Sequence, residues 1–393
     1  MEVTKGGHVL GGSLLVAGTA IGGGMLALPL ATAEGGFLPA SVLYVLCWLF
    51  MAGTGLLFME VFLWSKREVN IVSMAHMTLG VPGKVVAWLL YLFLFYSLTV
   101  AYVAGGGRLV FGGLDQFALP DWAGPLIFVA VFAPFVTIGA KFVDRVNTLL
   151  MFGLILSFLL FVVMGLGDVQ IEPLKRQNWS LALWATPVLF TSFGFQGIVP
   201  TLTNYLDRDP QKVKKAIVIG SMIPLLVYIL WEGLILGVIP LEELVLARNE
   251  GLNAVAPLKR VLEHQWLYLV GEFFAFFALV TSFLGVTLGL LDFLADGLKV
   301  KKNLRGRILL SCIIFLPPLV FAMLNPCIFI NMLRYAGGFG CAILLGLLPI
   351  LMVWRGRYSL KFESKYSLFG GRVILSLMIL FILAELFVMI RNL

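Results

Sequence analysis

Two stretches of an otherwise apolar chain hold residues whose backbone could do chemistry. The first is GTAIGGGMLALP, residues 18–29, in which Gly22, Gly23 and Gly24 interrupt an apolar run ahead of Pro29. The second is TSFGFQGIVP, residues 191–200, which sets Gly194 and Pro200 at the spacing of Gly23 and Pro29. Glycine costs a helix interior about 1 kcal/mol against alanine and proline about 3, so the paired interruptions predict helices that unwind in mid-run. Unwinding frees N–H groups between Thr19 and Gly24 that suit a carboxylate, and carbonyls closing the first half-helix, on Ala17 and Ala20, that suit a cation. The same holds from Thr191 through Ser192 and Gly194 to Gln196, so the two breaks together can hold both ends of a zwitterion. An α-amino acid fits that description. The competing reading of the glycine triplet is close helix packing.

Side-chain chemistry is sparse. Arg108, Glu232, Glu272, Arg334 and Glu385 fall toward one end of their apolar runs, and Glu60, Asp292 and Asp296 toward the other. The central layer is uncharged, which favours a net-neutral ligand over lysine, arginine, glutamate or aspartate. The outer group nearly balances in sign and reads as paired structural charge, with Glu232 and Glu272 also candidates for carrying a proton. His8, His76 and His264 lie in loops or at run ends, without an HExxH motif, and Cys47, Cys312, Cys327 and Cys341 show no CxxC or CxxH spacing. An enzyme, a metal site, a cofactor and a structural disulfide are therefore not expected. Phe190, Phe193 and Phe195 flank the second break, while Tyr96 and Tyr102 sit on the third apolar run. With 32 phenylalanines in the chain, composition alone reads such residues as ordinary core. A tyrosine ligand would need a partner for its phenol, and Gln196, Thr191 and Ser192 are the nearest polar side chains; Tyr96 or Tyr102 could meet its carboxylate.

These residues need elements to position them. The chain is 60% hydrophobic and 12% charged, with a mean hydropathy of +1.01, whereas soluble domains are about 25% charged. Runs of about 20 apolar residues predict membrane-spanning helices, and we read eleven. The first extends from His8 to Glu34, followed by 37–63, 85–112, 123–140, 145–167, 182–205, 214–239, 266–296, 306–325, 328–353 and 371–391. Ala31-Thr32-Ala33 imitates a signal-peptidase site, but the run before it is too long and too glycine-broken for a leader, so it is read as the first span. Residues 1–393 form one membrane domain: five spans over 8–167, five over 182–353, and an additional helix over 371–391. An odd number of spans per half turns the second half upside down, giving a five-plus-five inverted repeat with breaks in helices 1 and 6.

Charge placement agrees. With the N-terminus cytoplasmic, the inside loops hold Lys5, Lys66, Arg67 and Lys84, Lys141 and Arg145, Arg208 with Lys212 to Lys215, Lys299 to Arg307, and Arg355 to Arg372. The outside loops hold few basic residues, and the C-terminus is outside. The net charge of +7 is thus spread over cytoplasmic loops, and no nucleic-acid partner is expected. Ala278, Ser282, Gly285, Gly289, Asp292 and Asp296 form a small and polar stripe on the eighth span, expected to pack on the first.

The run GGSLLVAGTAIGGGMLALP, with TSFGFQGIVPTLTNY and VTSFLGVTLGLLDFLADG, resembles the aromatic amino acid permeases, the bacterial tyrosine and tryptophan transporters of the amino acid-polyamine-organocation superfamily. The likeness covers nearly the whole chain. It implies an all-α, leucine-transporter-like fold in the bacterial inner membrane, and proton-coupled uptake of an aromatic amino acid, tyrosine first. Tryptophan, serine or threonine, and branched-chain amino acids are the alternatives. In sodium-coupled relatives, hydroxyls at the positions of Thr281 and Ser282 join carbonyls of the first break around an ion; equally, such hydroxyls bond back to their own helix. Within this branch a histidine is expected after SFGF, where this chain has Gln196, and the superfamily's lysine in segment five is absent from residues 148–165. Broken helices also line channels, but the inverted repeat favours a carrier with alternating access.

Overall fold

The computed structural model describes residues 7–65, 69–113, 120–261, 265–363 and 365–391, and every regular element among them is helical. This is the form an apolar chain takes where no water can satisfy its backbone. The chain starts in α1 (Val9–Ala20), leaves helical geometry at Ile21 and Gly22, makes a single 3₁₀ turn over Gly23–Leu26 and resumes as α2 (Leu28–Thr32). Next come α3 (Phe37–Trp64) and α4 (Ile71–Gly113). α4 bends at Gly80, whose φ of 75° favours glycine, just ahead of Pro82. α5 (Ala123–Ile138), α6 (Ala140–Gly165), α7 (Ile171–Leu174) and α8 (Trp179–Ala182) lead to the second interruption. There α9 (Thr186–Ser192) stops, a 3₁₀ turn covers Gln196–Ile198, and α10 (Val199–Tyr205) resumes.

α11 (Pro210–Val238) is started by Asp209, which accepts the N–H groups of Gln211 and Lys212, with Pro210 in the first turn. α12 (Leu241–Asn249), α13 (Leu258–Val261), α14 (Gln265–Gly297) and α15 (Leu304–Leu324) follow. α16 (Phe329–Tyr335) then widens into a π-helical stretch, Ala336–Leu347, which continues as α17 (Leu348–Tyr358), and α18 (Gly371–Arg391) runs alongside.

Nine helices among the described residues are long and apolar enough to cross a membrane. Of the eleven expected segments, the first is divided, its longer part having 12 residues, and the fourth has 16. The third begins at Ile71, earlier than expected, because Gly80 bends the helix without ending it. The eighth is long, as expected, at 33 residues. Lys5, Lys66, Arg67 and His264 lie outside the described residues.

Small residues set the closest packing. A Cβ on Gly220 of α11 would lie 2.5 Å from the Ser13 carbonyl of α1, so α1 rides directly on α11. α14 packs on α6 and α4 and touches the 3₁₀ turn after α1. At the basic end, Arg357 grips the buried Glu60 carboxylate through two hydrogen bonds of 2.6 and 2.5 Å, and the Leu368 N–H adds a third of 3.1 Å. This joins α3, α17 and the segment entering α18.

Candidate substrate site

The two interruptions meet. Tyr228, buried on α11, places its hydroxyl 2.7 Å from the Ala20 carbonyl that ends α1 and 2.9 Å from the Ser192 carbonyl that ends α9. One phenol O–H is thus shared between two carbonyls that unwinding would otherwise strand. Trp231, one turn on, donates its indole N–H to the Met25 carbonyl at 3.0 Å. Neither residue was singled out from the sequence, although a tyrosine and a tryptophan inside the apolar run YILWEG each carry a donor that needs a buried partner.

The glycine triplet divides its work. Gly22 has extended backbone, φ −174° and ψ −157°, a conformation open to any residue. Its requirement is steric, because a Cβ there would run into Ser282 Oγ. Gly23 gives its N–H to Ser282 Oγ at 2.9 Å, and a Cβ on it would lie 2.8 Å from the ring of Tyr102. Close packing against α14 and α4 therefore explains Gly22 and Gly23 as side chains. The N–H groups of Gly22 and Gly24 meet no acceptor among the described residues, and both glycines line a central cavity.

That cavity has a volume of about 420 Å³, within the range of ligand pockets. Both breaks border it, through Thr19, Ala20, Gly22 and Gly24 on one side and Thr191, Ser192, Gly194, Phe195 and Gly197 on the other. Tyr102, Tyr91, Phe95, Leu344 and Leu345 form an aromatic and aliphatic wall, and Thr281, Ser282, Gly285 and Gly289 of α14 close a third side. From the level of the breaks the cavity runs toward the basic ends of the helices, reaching Ile71, Asn147 and Gly289. Toward the other end it is shut by buried Met25, Leu26 and Phe193, with the Ala254 N–H bonded to the Leu26 carbonyl at 3.0 Å.

Several expected site residues are elsewhere. Gln196 is fully buried: its amide donates to the Met51 carbonyl (3.0 Å) and Thr54 Oγ1 (3.1 Å) and accepts the Phe195 N–H (2.9 Å). It fastens the second break to α3 and has no face on the cavity, which corrects the expectation that it meets a ligand phenol. Tyr96 donates to the Ile313 carbonyl of α15 at 2.9 Å, so it serves helix packing. Phe190 stacks on Phe50 and Phe381, and Phe193 lies between Tyr44 and Tyr228; of the three phenylalanines only Phe195 borders the cavity. The direction of a side chain on a helix decides these cases, and it depends on neighbours the local sequence does not name.

The expected ion-binding groups are also engaged. The Ala17 carbonyl accepts the Ile21 N–H at 2.9 Å, the Ala20 carbonyl has Tyr228, Thr281 bonds back to Phe277 at 2.8 Å, and Ser282 has Gly23. Thr19 and Ser192 bond back to Leu15 and Val188, while Thr191 reaches the Leu333 carbonyl at 2.7 Å. The outer charges are answered mostly by uncharged groups: Glu232 by the hydroxyls of Thr32 and Tyr44, Glu272 by Tyr268, and Arg108 by the Cys327 thiol. Glu272 belongs to a separate cavity of about 480 Å³ with Arg108, Lys259 and Arg260. One polar group overlooked in the sequence does line the central cavity: Asn147 of α6, whose Oδ1 is buried with no hydrogen-bond partner among the described residues.

Comparison with known proteins gives the same picture across the chain's length. The model of the tryptophan/tyrosine permease family matches residues 5–389. Tyrosine-specific transport system 1 of Haemophilus influenzae is 34% identical over 96% of this chain and 94% of its own length. The tryptophan-specific transport protein of the same organism is likewise 34% identical, over 96% and 94%. The low affinity tryptophan permease of Escherichia coli is 29% identical over 94% and 92%. These relatives are transport proteins, not enzymes.

Proposed function

Because the chain belongs to the tryptophan/tyrosine permease family, a multi-pass membrane protein that moves an aromatic amino acid, we propose that it is a proton-coupled symporter that takes up tyrosine across the bacterial inner membrane. The observation that carries this reading is the meeting of two interrupted helices at one aromatic-walled cavity. The free N–H groups of Gly22 and Gly24 cradle the substrate carboxylate, and Ala20 and Thr191 to Gly194 border its ammonium end. α2 has only five residues, so the cradle works through local N–H groups more than through a helix dipole. Tyr91, Tyr102 and Phe95 pack on the ring, and the unpartnered Asn147 Oδ1 offers an acceptor to a phenol or an indole N–H.

The halves 8–167 and 182–353 act as inverted repeats of an eleven-span, leucine-transporter-like fold, with residues 371–391 added. Support comes from the breaks falling at matching places and sharing one cavity. With the basic ends cytoplasmic, the N-terminus inside and the C-terminus outside, the cavity faces the cytoplasm, the state of a carrier releasing its cargo. Proton coupling is what the family resemblance implies, and the sodium-free arm of the experiment below tests it.

Tryptophan is the second reading, since relatives named for each amino acid are equally similar. Purified protein in proteoliposomes decides. We expect labelled tyrosine to accumulate under an inward proton gradient without sodium, and unlabelled tyrosine to compete better than tryptophan, serine or leucine. Stronger competition by tryptophan transfers the assignment to that substrate. Competition by tyrosine amide equal to that by the free acid overturns the carboxylate cradle.

A further inference from the structure

The last helix carries a charged residue that the substrate site leaves unused. Glu385 of α18 is 2% exposed, and neither of its carboxylate oxygens has a hydrogen-bond partner among the described residues. Its place is fixed by the packing of α18 on the π-helical stretch. A Cβ on Gly346 would lie 2.6 Å from Ile382, and one on Gly338 would lie 2.5 Å from Met389. The two helices close over these glycines, and Glu385, about a turn from each contact, is sealed into the seam between them.

The seam is thin. Cys341, on the same π-helical stretch, lines the central cavity and lies within electrostatic reach of Glu385. Cys47 of α3 lies within the same reach. α9 and the turn Leu183–Ala185 bring no titratable side chain to α18. α17 brings Arg355, Arg357 and Tyr358 at the far end, where Arg357 holds Glu60 and Arg372 lies 4.5 Å over the Tyr358 ring.

An ionised carboxylate in this seam would have no donor and no counter-charge, and burying an unpaired ion costs several kcal/mol. The neutral acid is the form such a place accepts. To release its proton, the seam must open to water or to the cavity. The wall that would open is 12 residues of π-helix, a geometry that ordinarily occurs as single turns and frequently at functional sites.

We propose that Glu385 is the proton-binding site of the transport cycle. The acid O–H forms when the seam has access to the outside and gives its proton to water on the inside, and movement of Ala336–Leu347 links that step to the cavity through Cys341. No other bond forms or breaks. This rests on the proton-coupled reading above and assigns that coupling to one side chain.

The experiment uses wild type, Glu385→Gln and Glu385→Asp in proteoliposomes. Glu385→Gln is expected to keep exchange of labelled for unlabelled tyrosine, which needs no net proton movement, while gradient-driven accumulation falls at least about tenfold and uptake loses its dependence on pH. Glu385→Asp restores part of both. Wild type driven by a proton gradient beside an equally driven Glu385→Gln overturns this assignment alone. Wild type driven only by sodium overturns the coupling reading and this inference together. Infrared difference spectra supply a readout that does not need transport: a protonated-carboxyl band present in wild type and absent from Glu385→Gln is expected, and identical spectra overturn the proposal.

Discussion

Glu232 and Glu385 are both glutamates sealed inside spanning helices, 0% and 2% exposed, but they keep different company. Glu232 accepts the Tyr44 O–H at 2.6 Å and meets the Thr32 hydroxyl, whose single proton it shares with the Leu28 carbonyl, and through these two residues it joins α11 to α2 and α3 just beyond the first break. Glu385 receives no hydrogen bond from the described residues. Hydrogen bonds to a charged group contribute about 1.5–3 kcal/mol each, so donors fix a buried carboxyl as a joint and offset part of the cost of ionising it. The same group without donors holds its place by carrying a proton. What separates a joint from a switch in this interior is therefore a pair of hydroxyls, not depth of burial.

The largest effect that tests the contrast is on stability. Glu232→Leu removes the acceptor of Tyr44, leaving a buried phenol unpaired, whereas Thr32 keeps its 2.7 Å bond to the Leu28 carbonyl. We expect a loss of about 2–4 kcal/mol, read as a clear fall in the thermal midpoint in detergent. Glu385→Leu, which removes an unpartnered polar group, is expected to leave the midpoint unchanged or raised. Equal losses for both variants would erase the distinction.

The smaller change Tyr44→Phe takes one of the two donors from Glu232 and keeps the ring against Phe193. We expect a loss of about 1.5–3 kcal/mol, no more than that of Glu232→Leu, with uptake still driven by protons. A variant that loses proton drive while remaining folded would make Glu232 a carrier of the coupled proton and not a joint.

The sequence made the two breaks legible because glycine and proline change the backbone wherever they stand, whatever surrounds them. Gly22 and Gly24 were reached that way, Ser282 through the small and polar stripe of the eighth span and Tyr102 as a tyrosine of the third, and all border the cavity. Gln196 and Tyr96 were misread because a polar group on a helix can turn to either side, and the acceptors that decide, Met51, Thr54 and Ile313, lie far along the chain. Tyr228 was missed for the converse reason: its partners exist only once both breaks have formed. The π-helical stretch had a trace in the glycines of AGGFGCAILLG, but close approach to α18 and α9 gives them their meaning. Glu385 was read as one of several balancing charges, since a sequence cannot show that a buried carboxylate has no donor.

The smallest effect would turn Glu385 toward the condition of Glu232. Cys47 is fully buried, borders no cavity described above and lies within electrostatic reach of Glu385. Cys47→Ser alters little volume but replaces a weak S–H donor by an O–H. A hydroxyl directed at the carboxylate stabilises the ionised form, so at any given pH a smaller fraction carries the proton. Uptake that depends on the protonated form then needs more acid, and its pH profile moves to lower pH. If the new bond contributes about 1.5 kcal/mol, the shift is about one pH unit, with maximal rate, exchange and thermal midpoint near those of wild type. A shift to higher pH would contradict the donor argument directly. An unchanged profile would mean that the hydroxyl bonds back to the Leu43 carbonyl of its own helix. The same substitution at Cys341 decides that case, because this residue borders the cavity within electrostatic reach of Glu385, and a new donor there would lower the profile as well.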